Sequence, residues 1–498
     1  MVHDLKLNVE PGASYLLKKI SRILKEQGIE SYLVGGFVRD MLLGRKTADI
    51  DIAVAVDALE IARKVAAAIG GKYVLLDAGN QIGRVVAFED KLEIDFSTLR
   101  SSIEEDLGQR DFTIDAMAMD LGKASFEKEH LVFPEVIDPF SGQVDLGRKV
   151  VRAVSESAFA ADPIRLLRAV RLAAELGFRI DGETESVLRR DASLITGVAG
   201  ERVREELLRL FALPGAGKFL AYLNELSLLT AIIPKLAEGK GIDQPVVHVW
   251  DVLEHSVRSV SAVDFLLRQG EWEYADSKVL AVVPWSQRLE EHFKEEVSHA
   301  STRASLLRLA ALLHDVAKPE TKTIDETGRA RFLGHAKEGA ETVVNIMQRL
   351  RFTGKEIRLV EIMVLHHLRP TQMSQAELPT RRALYRFFRD TEDAGIDILF
   401  LNLADHLATR GPDLDRAGWQ EHARMVEYVL EKRFEEESAV IPPKLVDGND
   451  LITIFGLQPG PRIGEILEAV REAQAAGEIT TREEALACIR TLMASQNS

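Results

Sequence analysis

Two aspartates separated by one residue, Asp49 and Asp51, stand in the run DIDIAV, whose β-branched residues predict a strand. Residues two apart on a strand point to the same face, so the two carboxylates project together. Adjacent negative charges are unfavourable unless a cation neutralises them, and Mg²⁺ prefers such oxygen ligands together with substrate phosphates. A third carboxylate, Asp95, lies in the run KLEIDFST, a later predicted strand that could lie alongside. The alternative is that Asp49 and Asp51 form the solvated face of an edge strand.

A glycine pair, Gly35–Gly36, follows a predicted strand ending at Val34 and precedes a helical segment. Glycines between a strand and a helix let main-chain N–H groups approach phosphates at the positive end of the helix. Three strand-borne carboxylates facing such a turn suit nucleotidyl transfer assisted by two metal ions. The pattern therefore predicts catalytic roles for Asp49, Asp51 and Asp95, with Mg²⁺ on the first two.

Histidines and aspartates recur downstream, widely spaced along the chain. The dipeptide His314–Asp315 lies in the apolar helical run LAALLHDVAKP, with His255 well before it and Asp405 well after it. Buried imidazole and carboxylate groups need partners, which a transition metal supplies. The arrangement resembles the HD phosphohydrolase superfamily. That resemblance implies that these four residues bind one divalent metal such as Ni²⁺ or Mn²⁺, in a domain that hydrolyses a phosphomonoester or a 2′,3′-cyclic phosphate.

Three more histidines belong to the same part of the sequence. His335, together with His366 or His367, could hold a second metal or touch the substrate. The alternative is a helical scaffold that retains these histidines without activity.

The secondary-structure pattern changes near residue 151. Before it, short β-branched runs alternate with helical patterns, which predicts an α/β layer; after it, helical periodicity dominates. The predicted strands are Ser31–Val34, Asp49–Val54, Tyr73–Leu76 and Leu92–Phe96, and a helix is predicted at Leu59–Ile69.

Glycine- and proline-containing breaks divide the chain further. We expect a nucleotidyltransferase head over residues 1–150, a helical neck over 151–240, an HD domain over 241–437 and a helical tail over 438–498. A charged stretch, 285–303, predicts a surface insertion within the HD domain.

The composition is that of an ordinary folded protein, with 46% hydrophobic and 28% charged residues among 498. A single cysteine, Cys488, excludes a disulfide framework or a cysteine-based zinc cluster. The sequence shows neither a secretory signal nor an apolar run of roughly 20 residues, so we expect a cytoplasmic protein without a membrane segment. The net charge of −15 argues against a nucleic-acid partner, since RNA binding usually leaves a basic footprint, although residues 148–210, with 12 basic against 10 acidic side chains, permit RNA contact there.

Five ordered motifs carry a family resemblance. The run SYLVGGFVRDMLLGRKTADIDIAV resembles the signature of the class II tRNA nucleotidyltransferase and bacterial poly(A) polymerase family, within the DNA polymerase β superfamily. The later motifs follow in the family's order: QRDFTIDAMAMD (Gln109–Asp120), DPFSGQVDLGRKVVR (Asp138–Arg152), ADPIRLLRAVRLAAELGF (Ala161–Phe178) and ERVREELLRLF (Glu201–Phe211). The resemblance implies a polymerase-β-like α/β head, an all-α neck, an all-α HD domain and a small helical tail.

The same resemblance implies substrates and binding residues. The substrates are tRNA, CTP and ATP, and the nucleotide-binding residues implied are Gly35, Gly36, Arg39, Arg110, Asp111, Asp162, Arg165 and Arg168. Asp162 and Arg165 are three apart, which predicts one helical face where an acceptor and a donor fork read a base edge. The alternative for this stripe is an intrahelical salt-bridge ladder.

Three departures from the family pattern concern the choice of nucleotide. Ala161 stands where the family has a glutamate that orients the arginine, and Asp115 replaces the usual asparagine. The Arg100–Arg110 connection is very short, as in members that stop after two cytidines, whereas CCA-adding members have a longer loop. CCA, CC-only and A-only addition therefore remain open.

Two other functions compete with tRNA nucleotidyl transfer. A poly(A) polymerase shares the head and neck but often carries a basic extension in place of an HD domain. A nucleotide-responsive HD hydrolase would use the head only as a binding module, which the intact carboxylates argue against.

Overall fold

The computed structural model describes residues 5–46, 49–87, 92–127, 130–244, 248–373, 378–435 and 444–495. The chain forms two compact units, residues 1–198 and 199–498. The boundary between them falls inside the stretch predicted as one helical neck. Within the described ranges, no helix is both long and apolar enough to cross a membrane.

The N-terminal unit has three β-sheets in its described residues: a large one, a smaller one and a two-stranded parallel pair formed by its last two strands. Its strands are β1 (Leu5–Asn8), β2 (Ser31–Val34), β3 (Asp49–Val54), β4 (Lys72–Asp77), β5 (Ile82–Ala87), β6 (Leu92–Thr98), β7 (Ala118–Asp120), β8 (Ser125–Glu127), β9 (His130–Phe133), β10 (Val150–Val151) and β11 (Arg179–Ile180). The large sheet has the order β4-β5-β6-β3-β2-β7 and the smaller one the order β1-β9-β8. In the large sheet β3 and β6 are parallel, and the other neighbours are antiparallel.

The four strands predicted in the head are all present, two of them with the predicted bounds. β5 was not predicted, although its burial alternates along the strand. Its sequence, IGRVVA, has a glycine and an arginine among its first three residues, and these two residues weaken the strand signal.

The helices of the N-terminal unit cover the sheet and then form a short helical layer of their own. They are α1 (Pro11–Glu26), α2 (Gly36–Leu42), α3 (Ala58–Ile69), α4 (Ile103–Gly108), α5 (Gly142–Arg148), α6 (Ser157–Ala161), α7 (Ile164–Leu176) and α8 (Gly182–Asp191). The side chain of Asp57 accepts the N–H groups of Leu59 and Glu60 at the start of α3, and Gly70 ends that helix in the left-handed conformation. Local capping therefore sets the ends of the predicted helix.

The C-terminal unit is almost entirely helical. Its helices are α9 (Gly200–Ala212), α10 (Ala216–Glu225), α11 (Leu228–Ile232), α12 (Val252–Leu266), α13 (Ser277–Ala281), α14 (Gln287–Lys294), α15 (Arg303–Leu313), α16 (Lys318–Thr321), α17 (His335–Arg349), α18 (Gly354–His366), α19 (Arg369–Met373), α20 (Arg381–Thr391), α21 (Gly395–Arg410), α22 (Arg416–Glu435), α23 (Gly448–Phe455), α24 (Pro461–Ala475) and α25 (Arg482–Ser495). The unit also contains two small β-hairpins between helices. One pairs β12 (Glu296–Ser298) with β13 (Ser301–Thr302), and the other pairs β14 (Lys322–Ile324) with β15 (Ala330–Phe332).

Helix α15 is the centre of this unit. Every residue of α15 is buried, and the helix packs against α12, α18 and α21. A helix that is buried all round lies inside a core, so the residues at its C-terminal end, His314 and Asp315, are held deep within the domain.

The charged stretch 285–303, predicted as a surface insertion, is exposed at 10 of its 19 residues, and a few of its side chains anchor it in the core. The ring of Phe293 packs 4.8 Å from that of Phe400, and Trp285 stacks on Phe293. Arg303 is buried, and its Nη1 atom lies 2.8 Å from the fully buried carboxylate of Asp397. The many charges of this stretch concealed the few side chains that anchor it.

The tail, 444–495, has a core of its own. Leu451, Val470 and Ile489 are among the buried residues that α23, α24 and α25 share. Arginines of α20 form ion pairs with glutamates of α24. Arg386, for example, donates hydrogen bonds to both carboxylate oxygens of Glu472, at 2.7 and 2.8 Å.

Candidate active sites

The aspartates of β3 and β6 lie side by side in the middle of the large sheet. The parallel register sets Asp51 opposite Asp95 and Asp49 opposite Glu93. Burial raises the pKa of Asp51 to about 6; the Arg110 guanidinium opposes this rise, whereas Asp95 and Asp49 add to it. A divalent cation relieves such crowding of carboxylates, so the residues present fit Mg²⁺.

Arg84, on β5, contacts the third carboxylate, and the sequence did not single it out. It lies opposite Asp95 in the register of β5 and β6, and its Nε and Nη2 atoms donate to the two oxygens of Asp95 at 2.7 and 2.9 Å. Because this fork occupies both oxygens, Asp49 and Asp51 are better placed than Asp95 to bind a metal ion. Arg84 could be linked to Asp95 only once the pairing of their two strands was known, because the two residues are cross-strand neighbours.

The turn between β2 and α2 requires glycine at position 35. Gly35 has φ of 71° and ψ of −142°, a conformation that a side chain disfavours. A Cβ atom here would lie 2.7 Å from Nη1 of Arg110 and 3.3 Å from Oδ2 of Asp51. The missing side chain therefore lets Arg110 approach Asp51 beside the N–H groups at the start of α2, which suit phosphate oxygens.

Arg39 lies beneath this turn and is not part of the wall of the cleft described below. Its Nε atom donates to Asp40 at 2.9 Å and its Nη1 atom to Oδ1 of Asp115 at 2.6 Å. Burial raises the pKa of Asp115, and the Arg39 guanidinium opposes that rise. The guanidinium packs against Gly36, since a Cβ atom there would be 3.3 Å from Nη2 of Arg39.

A cleft of about 320 Å³ opens beside Arg110. It is lined by Asn80, Ile82, Ser97, Thr98, Arg100, Ser101, Asp106, Gln109, Arg110, Asp111, Arg165 and Arg168. Four of these residues are arginines, so the cleft favours an anionic ligand. Its volume is in the range of small-molecule sites.

Asp111 organises one wall of the cleft from inside the protein. Its carboxylate accepts the N–H of Phe112 and Nη1 of Arg168, each at 3.0 Å. Asp111 is buried, so it holds Arg168 at the cleft wall, while Arg110 pairs loosely with Asp106 at 3.3 Å.

Asp162 and Arg165 do not share a helical face, contrary to the prediction. Helix α7 begins at Ile164 with Pro163 as its N-cap, and Asp162 precedes it in extended backbone with φ of −148°. The ring of a proline disfavours helical backbone at the residue before it. Asp162 therefore stands at the entrance of α7, one turn before Arg165.

Two main-chain carbonyls hold Arg165. Its Nη1 atom donates to the carbonyl of Ala158 at 3.2 Å, and its Nη2 atom donates to that of Gln109 at 2.8 Å. These carbonyls orient the guanidinium without the glutamate that Ala161 replaces. Two of the five N–H groups of Arg165 are used in this way, and three are left for a ligand.

Two groups of ligand atoms meet at Asp315 in the C-terminal unit. Nε2 of His255 lies 3.2 Å from Nε2 of His314 and 3.4 Å from Oδ2 of Asp315. Nε2 of His335 lies 3.3 Å from Nε2 of His367 and 3.4 Å from Oδ1 of Asp315. Asp315 thus presents one oxygen to each pair of histidines. Such separations suit ions bound at about 2.1 Å.

Asp405, on α21, belongs to the first group, with Oδ1 3.2 Å from Nε2 of His255. Burial lowers the pKa of His314, but Asp315 and Asp405 raise it, and the net value is about 10. Two carboxylates thus draw a proton onto His314, at the place where a metal ion would displace it. Burial lowers the pKa of His367 to about 3, which keeps its imidazole neutral, as a ligand must be.

Main-chain carbonyls orient three of these histidines. The Nδ1 atoms of His314, His335 and His367 lie 2.7 to 2.9 Å from carbonyls in the preceding turn. An Nδ1–H that donates to a carbonyl leaves the Nε2 lone pair for a metal ion. The donor set therefore fits two divalent transition metals that share Asp315.

His366 lies outside the two groups of potential ligand atoms, whereas the adjacent His367 belongs to the second. Two residues at the edge of the centre were not predicted as site residues. Nζ of Lys318 lies 2.6 Å from Oδ2 of Asp315, and the ring of His248 lies 5.7 Å from that of His255. The position of Lys318, three residues after Asp315 in the run LAALLHDVAKP, was a usable signal, and His248 carried none.

Family profiles match most of the chain in the order of the predicted domains. The profile described as "Poly A polymerase head domain" matches residues 31–152, and one for an RNA and SrmB-binding site of polymerase A matches 177–240. "HD domain" matches 277–410, and a tRNA nucleotidyltransferase domain 2 profile matches 443–489. The fold and the site thus define a nucleotidyltransferase head joined to helical regions and an HD domain, as predicted.

Relatives of the chain align over nearly their whole length. An A-adding tRNA nucleotidyltransferase of Deinococcus radiodurans is 35% identical over 464 residues, 92% of this chain and 94% of that protein. A CC-adding tRNA nucleotidyltransferase of Thermus thermophilus is 35% identical over 466 residues, 92% of each chain. A CC-adding relative from Geobacter sulfurreducens is 31% identical and covers 94% of this chain and 93% of its own. The chain belongs to the tRNA nucleotidyltransferase family.

Solved structures share the fold. A Thermotoga maritima CCA-adding enzyme complexed with tRNA superposes with a TM-score of 0.62 at 23% identity, covering 97% of each chain. A complex of a CCA-adding enzyme with CTP superposes with a TM-score of 0.65 at 22% identity, covering 98% of this chain and 97% of that one.

Proposed function

We propose that the N-terminal unit transfers CMP from CTP to the 3′ end of tRNA and stops after two additions. The observation that carries this proposal is the register of Asp51 opposite Asp95 beside the Gly35 turn, next to Arg110, which lines a cleft with three further arginines. Asp49 and Asp51 would hold Mg²⁺ ions, which would activate the attacking hydroxyl and stabilise the departing pyrophosphate. A cytoplasmic location belongs to the same proposal.

The chain's own groups bind and orient the nucleotide. The N–H groups that begin α2 after Gly35 and the Arg110 guanidinium would face the triphosphate, since Gly35 and Arg110 both lie beside Asp51. Asp111 keeps Arg168 at the cleft wall, where a sugar or phosphate contacts it. Asp162 and Arg165 meet the edge of the base.

The choice of cytosine follows from how Arg165 is held. The Watson–Crick edge of cytosine has two neighbouring acceptors, which a planar arginine fork can contact together, and one amino donor for Asp162. That edge of adenine offers the fork a single ring acceptor. Carbonyls of Ala158 and Gln109 fix Arg165 from two sides, and helix α4 fills the short Arg100–Arg110 connection. An arginine that is held in place, next to a short connection, favours the recognition of one base and disfavours a switch from C to A.

The test uses tRNAs that end at the discriminator base, at C or at CC, each supplied with CTP or ATP alone and with both. We expect up to two CMP residues and no AMP on any substrate. AMP added to the CC end would refute CC-only addition, and a long run of AMP would favour a poly(A) polymerase. Asp49→Ala and Asp51→Ala should abolish incorporation; incorporation that survives would place the chemistry elsewhere.

We propose a second activity for the C-terminal unit, hydrolysis of a phosphomonoester or 2′,3′-cyclic phosphate. It rests on the two groups of ligand atoms that share Asp315. His255, His314 and Asp405 would bind one transition metal with Oδ2 of Asp315, and His335 and His367 a second with Oδ1. The bound metals would polarise the phosphoryl group and activate water.

The matched pair His367→Ala and His366→Ala tests this proposal, because the two histidines are adjacent and only the first faces Asp315. We expect metal content, measured by mass spectrometry after Ni²⁺ or Mn²⁺ loading, to fall by about one ion in His367→Ala and to stay unchanged in His366→Ala. Hydrolysis of a 2′,3′-cyclic nucleotide should follow the metal content. Equal metal content in both variants, or hydrolysis that survives His314→Ala, would contradict the site.

A further inference from the structure

Asp115 is a largely buried carboxylate that has no direct part in the proposed reaction. It ends the short 3₁₀ helix Thr113–Asp115, far along the chain from the glycine turn. Its side chain is 14% exposed and that of its partner Arg39 is 9% exposed. Keeping such a pair largely out of water carries a desolvation cost, which only good hydrogen-bond geometry can offset.

The contacts of Asp115 lead to the glycine turn. Oδ1 of Asp115 accepts Nη1 of Arg39 at 2.6 Å, and the Arg39 guanidinium packs against Gly36. The same segment reaches the turn a second time, because the carbonyl of Met117 accepts the N–H of Gly35 at 3.3 Å. The segment 115–117 therefore supports the turn at two points.

The hydrogen bond from Arg39 to Asp115 fixes Arg39 relative to the rest of the unit, which its bonds to Asp40 cannot do alone. Asp40 is the neighbour of Arg39 on α2 and accepts its Nε and Nη2 atoms at 2.9 and 3.1 Å. A carboxylate on the same helix moves with that helix. Asp115 takes the remaining end of the fork and ties α2 to another part of the unit.

We propose that Asp115 is a positioning residue for the nucleotide's phosphates, which acts by holding Arg39 beneath the Gly35–Gly36 turn. The proposal rests on nucleotide binding at this turn, as put forward above. The hydrogen bond carries the effect and the charge contributes less, because Asp40 already neutralises Arg39. An amide oxygen at position 115 should therefore do nearly the same work.

The experiment compares Asp115→Ala, Asp115→Asn and Arg39→Lys. Calorimetry measures the affinity for a non-hydrolysable CTP analogue. Steady-state incorporation assays measure KM and kcat for CTP with a tRNA that ends at the discriminator base. We expect Asp115→Ala to raise Kd and KM about tenfold, with a smaller change in kcat, because a buried charged donor loses its acceptor. Asp115→Asn should stay within about threefold of wild type. Arg39→Lys should match the alanine variant, because an ammonium group cannot span both carboxylates.

Asp145→Ala is the matched control. Asp145, on α5, is a buried aspartate that accepts a hydrogen bond at 2.8 Å from Oγ1 of Thr113, on the same 3₁₀ helix as Asp115, and pairs with Arg152 at 3.1 Å. It should lower the melting temperature without a change in Kd. In addition, Asp115→Ala combined with Arg39→Ala should bind CTP no more weakly than Arg39→Ala alone.

An unchanged Kd in Asp115→Ala would overturn the proposal, as would an equal loss in Asp145→Ala. If Asp115→Ala does not fold, an unchanged Kd in Arg39→Lys overturns it. Failure of the proposed function is a separate result, since wild-type protein would then bind no CTP analogue and extend no tRNA.

Discussion

Replacing Gly35 with alanine tests the nucleotide site at its tightest point. The backbone conformation, with φ of 71° and ψ of −142°, costs a residue with a side chain about 1–3 kcal/mol. The new Cβ atom would also lie 2.7 Å from Nη1 of Arg110, closer than Cβ atoms are found to approach other atoms, so Arg110 must move away from Asp51. Losing one aligned donor at a site of developing charge typically costs about 100- to 1000-fold in kcat. We expect a loss of that size in CMP incorporation.

Gly70→Ala separates backbone strain from the clash. Gly70 ends α3 with φ of 74°, and an added Cβ atom would have nothing within 4 Å. Both variants should lose about 1 kcal/mol or more in the free energy of unfolding, measured with urea, because both place a side chain at positive φ. Only Gly35→Ala should lose activity in single-turnover assays. If Gly35→Ala stays within tenfold of wild type, the inference that the turn sets the position of Arg110 is wrong.

Two further predictions concern the C-terminal unit. Arg308 is buried and donates to Oδ1 of Asp264 at 2.7 Å and to the carbonyl of Phe211 at 2.9 Å. Arg308→Met leaves Asp264 buried without its charged partner, so urea unfolding should show a loss of about 3–5 kcal/mol; a loss below 1 kcal/mol would contradict this reading. Arg386→Glu sets two acidic groups against each other at Glu472, so hydrogen exchange should rise along the facing surfaces of α20 and α24 while the tail core stays protected. The charge swap with Glu472→Arg should restore protection, and no rise in Arg386→Glu would show that other contacts hold the tail.

The aspartate pair of the head was predictable because its geometry is local. Alternation along a strand places Asp49 and Asp51 on one face wherever the strand lies. The position of Asp95 depended on pairing between β3 and β6, which the strand pattern allowed without requiring. Arg84 was missed because it reaches Asp95 only through the antiparallel pairing of β5 with β6.

For Asp162 and Arg165, the proposed base-reading residues, the sequence missed one local feature and one long-range contact. Helical spacing predicted one face for Asp162 and Arg165, but Pro163 starts the helix and leaves Asp162 outside it. Nothing near Arg165 in the sequence indicated that the carbonyl of Gln109 would hold its guanidinium, since main-chain carbonyls carry no sequence signature.

Residue types and local spacing by themselves determined the classes of chemistry: paired carboxylates beside a glycine turn, and histidines with aspartates on apolar helices. The tertiary structure decided which candidates share a centre. It selected His367 and left out its neighbour His366, because adjacent residues at a helix end point in directions about 100° apart. It also brought His255, His335 and Asp405 to Asp315 from separate helices. Such convergence depends on how helices pack, and packing is set by the whole core rather than by any one segment.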